Sequence, residues 1–116
     1  MTVVGFTGAA NSLAGAASAI ASNAQGSATQ PSATITTTRA NSWVFGVGTD
    51  WQGPETIAVG AGQTLVKQSS VTAITDTYWT QRITTPQVLA GVPVTVSATG
   101  TGTDRWNFAV VEIRQP

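Results

Sequence analysis

Between positions 92 and 98 the chain reads Val-Pro-Val-Thr-Val-Ser-Ala, so Val92, Val94, Val96 and Ala98 alternate with Pro93, Thr95 and Ser97. A period of two puts successive side chains on opposite faces of an extended strand, leaving one apolar face to bury and one polar face to wet. Related patterns recur in short runs punctuated by glycine and proline. Residues 2–7 (Thr-Val-Val-Gly-Phe-Thr) and 33–38 (Ala-Thr-Ile-Thr-Thr-Thr) are rich in β-branched side chains, and both are expected to be strands. In 42–48, Trp43, Phe45 and Val47 share one parity, and that face is expected to be core. A glycine-marked turn at 60–62 precedes a strand over 64–69, and 76–83 sets Trp79 and Ile83 opposite Tyr78 and Arg82. Residues 105–113 are apolar on both faces, with Trp106, Phe108 and Val110 on one side and Ala109, Val111 and Ile113 on the other, which suits a strand inside a sheet.

Seven to eight short strands with turn signals between them point to an all-β fold. An antiparallel β-sandwich, Ig-like or jelly-roll-like, is favoured over a small barrel. With 116 residues the chain is sized for one domain, 1–116. Residues 9–32 are low in complexity, mostly Ala, Ser, Gly and Asn, and Leu13 and Ile20 alone do not make a helical stripe. This region is expected to be a surface connection with one short extended piece near 17–21.

The side-chain inventory narrows the chemistry. The chain has no histidine and no cysteine, which removes imidazole and thiol catalysis and the commonest zinc sites. Five basic and five acidic residues balance to zero net charge, and the basic ones stand singly at Arg39, Lys67, Arg82, Arg105 and Arg114. Nucleic acid, which rewards clustered cations, is not an expected partner. No apolar run approaches the ~20 residues of a membrane-spanning helix, so membrane insertion is not expected, and the residues after Met1 do not have the pattern of a signal peptide.

The stretch Ala40-Asn41-Ser42-Trp43-Val44-Phe45-Gly46-Val47-Gly48-Thr49-Asp50-Trp51 resembles a β-sandwich module found in large secreted proteins of soil and environmental bacteria. Further matching blocks are Val3-Val4-Gly5-Phe6-Thr7-Gly8-Ala9, Gly62-Gln63-Thr64-Leu65-Val66, Asp76-Thr77-Tyr78-Trp79 and Asp104-Arg105-Trp106-Asn107. The resemblance implies an extracellular or cell-surface setting and a module that accompanies adhesive or sugar-binding regions. Within that pattern the chain looks like the C-terminal part of a larger sandwich, which implies an incomplete sheet edge and a homo-oligomer built across it. Lys67 stands where the family often has a histidine.

Candidate contact residues lie in the turn-rich sequence after position 48 and on the strand at 76–83. Trp51, between Asp50 and Gln52-Gly53-Pro54, offers either a stacking platform for a sugar ring or a cap on the core. Tyr78 with Arg82 forms either part of a binding face or a cross-strand pair on a solvated sheet. Asp50, Trp51, Tyr78 and Arg82 are the expected ligand-binding residues, with polysaccharide as the ligand class, no catalytic residue, no metal and no cofactor. A carboxylate hydrolase built on Asp50 with Glu55, or Asp76 with Asp104, is the enzymatic alternative. A self-assembling scaffold is another, and an internal amide between Lys67 and Asn107 is a further covalent option.

Overall fold

The alternating runs form eight strands in the computed structural model, which describes residues 3–12 and 14–116. They are β1 (Ser18–Asn23), β2 (Ser32–Thr36), β3 (Trp43–Asp50), β4 (Ala58–Val59), β5 (Gln63–Val71), β6 (Asp76–Ile83), β7 (Pro93–Thr99) and β8 (Trp106–Ile113). Every pairing is antiparallel. One sheet has the order β1-β8-β3-β6-β5 and the other β2-β7-β4, and the two face each other as a β-sandwich. Met1, Thr2 and Leu13 lie outside the described residues.

The alternation at 92–98 behaves as its pattern predicts. Val94, Val96 and Ala98 of β7 are buried, and Thr95 turns outward to share a hydroxyl hydrogen bond of 2.8 Å with Thr34 of β2. From the facing sheet, Trp79 and Ile83 of β6 and Trp106, Phe108 and Val110 of β8 complete the core. The Trp79 and Phe108 rings stack with centroids 5.9 Å apart and planes 17° from parallel, an arrangement worth about 1 kcal/mol beyond the area it buries.

Two expectations are corrected and a third is extended. The side of β3 turned toward the other sheet is Val44, Gly46 and Gly48; of the expected core face, Phe45 is buried and Trp43 packs partly against the core, but Val47 is 45% exposed. Gly46 and Gly48 leave space for the aromatic rings of the flanking strands. A Cβ on Gly48 would fall 2.0 Å from Trp79, and one on Gly46 2.9 Å from Phe108. The strand expected over 2–7 is not formed across residues 3–7. Val3 and Val4 are exposed, and Phe6 instead sets its edge against Phe45 of β3 at 5.7 Å, covering that ring from outside the sandwich. The short extended piece expected near 17–21 is present as a full strand, β1, whose Ala19 and Ala21 pack against the core while Ser18, Ile20 and Ser22 face outward. Alternation written in alanine and serine carries too little hydrophobic contrast to fix the length of the strand.

The core is also crossed by hydrogen bonds. Gln81 on β6 is fully buried; its Oε1 accepts from Trp79 Nε1 at 2.8 Å, while its Nε2 donates to Gln63 Oε1 at 2.6 Å and to the Ser97 carbonyl of β7 at 2.9 Å. Such a satisfied buried amide ties one sheet to the other and avoids the 1–3 kcal/mol cost, roughly, of an unpaired polar group.

Candidate functional site

Because one face of the five-stranded sheet is spent on the core, the opposite face presents its alternate residues outward. Register places them in rows running across the strands. One row is Ile20, Ala109, Val47, Thr80 and Lys67; the next is Ser22, Asn107, Thr49, Tyr78 and Ser69. Ile20, Ala109 and Val47 of the first row and Ser22, Asn107, Thr49 and Tyr78 of the second line a shallow trough of about 640 Å³ over β1, β8, β3 and β6, and Thr80, Lys67 and Ser69 lie outside its lining. Ile20, Val47 and Ala109 give it an apolar floor. Ser22, Thr49 and Asn107 supply neutral hydrogen-bonding groups, and Tyr78 an aromatic one. No ionised side chain lines it.

Tyr78 is 43% exposed, and its phenol is fixed by donation to Asp76 Oδ2 at 2.5 Å. That hydrogen bond to a carboxylate, followed by burial and by the Asp76 charge, raises the phenol pKa above the usual tyrosine value. The Tyr78 hydroxyl therefore stays protonated, with its remaining lone pair free to accept.

The other expected contacts are distributed differently. Arg82 shares the outer face of β6 but sits four residues from Tyr78, about 13 Å along a strand. Its guanidinium lies 4.6 Å over the Trp43 ring and donates to the carbonyls of Ile83 at 2.9 Å and Thr84 at 3.1 Å, away from the trough. Trp51 is half-buried two residues beyond Thr49, with its backbone N–H donating to the Arg105 carbonyl at 3.2 Å. Asp50 lies on the core side of β3 with no exposed surface, so it is not presented to a ligand on the trough. Its Oδ1 accepts from Gln52 N at 2.9 Å, an aspartate turn of the ordinary kind, while its Oδ2 is buried without a partner among the described residues. Burial first, and then the Asp104 and Glu55 charges, push the Asp50 carboxyl above its usual pKa against the pull of the Gln52 and Gly53 N–H groups.

Asp50, Glu55 and Asp104 thus gather at one end of the sandwich. The Glu55 and Asp104 carboxylates both crowd Gly53, where a Cβ would stand 2.8 Å from Glu55 Oε1 and 2.9 Å from Asp104 Oδ2. None of these acids lines the trough, and among the described residues no group of three or more acidic side chains is spaced to hold a metal ion. Asp76, the remaining partner of the hydrolase alternative, is committed to Tyr78. Lys67 and Asn107 lie on strands separated by β6 and β3, roughly 14 Å across three strand spacings, which excludes an amide between them.

Sequence reasoning missed the most constrained carboxylate. Glu112 of β8 is fully buried and makes no ion pair among the described residues; its oxygens accept from Ala17 N (3.0 Å), Thr38 N (2.8 Å), Thr38 Oγ1 (2.7 Å), Arg39 N (3.1 Å) and Ser42 Oγ (2.7 Å). Burial pushes its pKa up, but these donors together outweigh it and hold the carboxyl at about 2, down from 4.5. The group fastens the start of β1 and the β2–β3 connection to β8, which supports the sheet bearing the trough. Its parity with Trp106, Phe108 and Val110 was the one available signal that it points inward.

No family model matches the chain, and no curated protein matches it. A solved structure resembles it at a distance: the tripod (BppUct-A-L) from the baseplate of bacteriophage Tuc2009, at 12% identity and a TM-score of 0.46, over 99% of this chain and 73% of that one.

Proposed function

We propose that this chain is a non-enzymatic, surface-displayed β-sandwich module of structural or adhesive role that holds a neutral polysaccharide in the trough of its five-stranded sheet. The observation that carries the reading is the composition of the trough. A sugar ring offers an apolar C–H face and a rim of hydroxyls; Tyr78 supplies a ring for the first, and Ser22, Thr49 and Asn107 supply donors and acceptors for the second. The lack of charge along the lining favours a neutral chain over an anionic one. The burial of Asp50 and the engagement of Asp76 with Tyr78 support a binding role over hydrolysis, since neither carboxylate is free to approach a glycosidic bond.

A glycan array followed by calorimetry on any hit tests the proposal. Binding by the native chain should fall at least about tenfold in Tyr78→Ala, the loss of one stacking contact, and should be little changed in Arg82→Ala. An array without a neutral-glycan hit, or a hit unaffected by Tyr78→Ala, overturns it.

A further inference from the structure

We infer that β1 is a self-complementary docking edge, and that a second copy of this chain pairs with it antiparallel about a two-fold axis through Ile20. The argument begins with the backbone. Glu112 N donates to the Ala17 carbonyl at 2.8 Å, and the register runs Ser18↔Val111 to Asn23↔Trp106. In an antiparallel ladder the bonding residues alternate, so Ala17, Ala19, Ala21 and Asn23 turn their N–H and C=O groups toward β8. Ser18, Ile20 and Ser22 turn theirs away, to an edge where no described residue hydrogen-bonds them.

The sequence of that edge reads the same in both directions about Ile20: Ser18-Ala19-Ile20-Ala21-Ser22. A two-fold axis requires a surface that complements itself. Antiparallel pairing centred on Ile20 sets Ile20 against its own copy and Ser18 against Ser22, and these are the residues whose backbone groups point outward. Register and hydrogen-bond phase therefore agree, and the three pairs would exchange six backbone hydrogen bonds. Charge permits the same pairing. An ion at position 20 would face its own copy across the axis, and β1 carries no charged residue.

Comparison with the other edges strengthens the assignment. β4 has only two residues, β5 is interrupted by a bulge between Leu65 and Lys67 and carries that lysine, and β2 follows directly on Pro31. Short length, bulges, lysine and proline are the features that blunt an edge against pairing, and β1 has none of them. It has instead an isoleucine 86% exposed. That side chain is also one wall of the trough, so the symmetric pair would bury Ile20 against its copy and join two troughs into one groove with the isoleucines at its centre. Ala19 and Ala21, on the opposite face, are small enough to let the strands approach.

A single strand pair is a small interface, so the test combines a concentration series with covalent trapping. Light scattering after size exclusion, from ~10 µM to ~1 mM, should show the native mass rising from 11.8 kDa toward twice that value. Ile20→Lys should remain monomeric throughout with an unchanged circular dichroism spectrum. Because the chain has no cysteine, Ile20→Cys adds a single thiol. Opposed residues in a hydrogen-bonded antiparallel pair stand about 5.5 Å apart at Cα, within disulfide range. Mild oxidation should cross-link Ile20→Cys at least about tenfold faster than Ile74→Cys, an exposed position on the β5–β6 turn. A native chain that stays monomeric at the highest concentration, equal cross-linking of the two cysteine variants, or a dimer that survives Ile20→Lys would each overturn the inference. Because Ile20 also lines the trough, a second variant separates the two proposals: Ser18→Pro, at the first residue of β1 and outside the trough lining, removes an outward N–H without touching the β8 ladder, and it should lose the dimer while retaining glycan binding.

Discussion

Replacing Glu112 with glutamine keeps the shape of the side chain and removes its charge, which makes the clasp of five donors a measurable quantity. With its remaining oxygen toward Thr38 N, Arg39 N and Ser42 Oγ, the amide still accepts three of the bonds. Its NH₂ group then faces Ala17 N–H, donor against donor, and the Thr38 hydroxyl, which can rotate to accept. One buried N–H without a partner, together with the weakening of charge-assisted bonds to neutral ones, should cost about 2–4 kcal/mol. The pH dependence supplies a second reading. The folded carboxyl titrates at about 2 against a reference of 4.5, a gap equivalent to about 3 kcal/mol before solvent screening and about 2 after it. Because the folded value is depressed, this stability is fully present above pH 4.5 and is lost as pH falls through 2. Urea unfolding followed by the fluorescence of the buried Trp79 and Trp106 should show Glu112→Gln less stable than the native chain at pH 7, with the difference narrowing between pH 4.5 and 2. A difference that is absent at pH 7, or that stays constant down to pH 2, would refute the account of Glu112 as an ionised clasp.

Asp50→Asn should act in the opposite direction. The folded Asp50 carboxyl has a raised pKa, so its effect favours the fold at low pH and is lost as pH rises through the folded value; the amide should raise the urea midpoint at pH 7 and lose that advantage in acid. Gly48→Ala should cost at least about 3 kcal/mol, because its methyl would overlap the buried Trp79 ring, which is fixed by its bond to Gln81; an unchanged melting temperature would show that the ring has room to move. Tyr78→Phe should leave stability within about 0.5 kcal/mol, since the lost hydrogen bond is solvent-exposed. Gln81→Leu, which leaves Trp79 Nε1–H, Gln63 Oε1 and the Ser97 carbonyl without their shared partner, should lower stability by about 1–3 kcal/mol in the same unfolding assay.

Alternation locates strands well where one parity is apolar and the other polar, as in β7 and β6, whose inward residues are legible in the sequence. It misleads in β3, because period two says only that the faces differ, not which one is inside. Glycine at 46 and 48 looks like the weaker face by hydrophobicity, yet Gly46 is buried and Gly48 half-buried, because the space beside them belongs to the Trp79 and Phe108 rings of the neighbouring strands. The missing side chain is the packing feature, and it can be recognised only from the partner strands. The trough follows from the same inversion: once Gly46 and Gly48 face inward, Val47 and Thr49 must face outward, and register sets them beside Tyr78 and Asn107. Of the expected contact residues, Tyr78 was readable as outward-facing because its strand alternates cleanly, whereas Asp50 was not readable as buried because its position depends on the phase of β3. The β1 edge was hidden for a different reason. Its pairing capacity lies in the backbone and in the palindrome of Ser18 and Ala19 with Ala21 and Ser22 about Ile20; neither contributes to a hydrophobic pattern, and the palindrome gains meaning only when β8 fixes which carbonyls and amides point away.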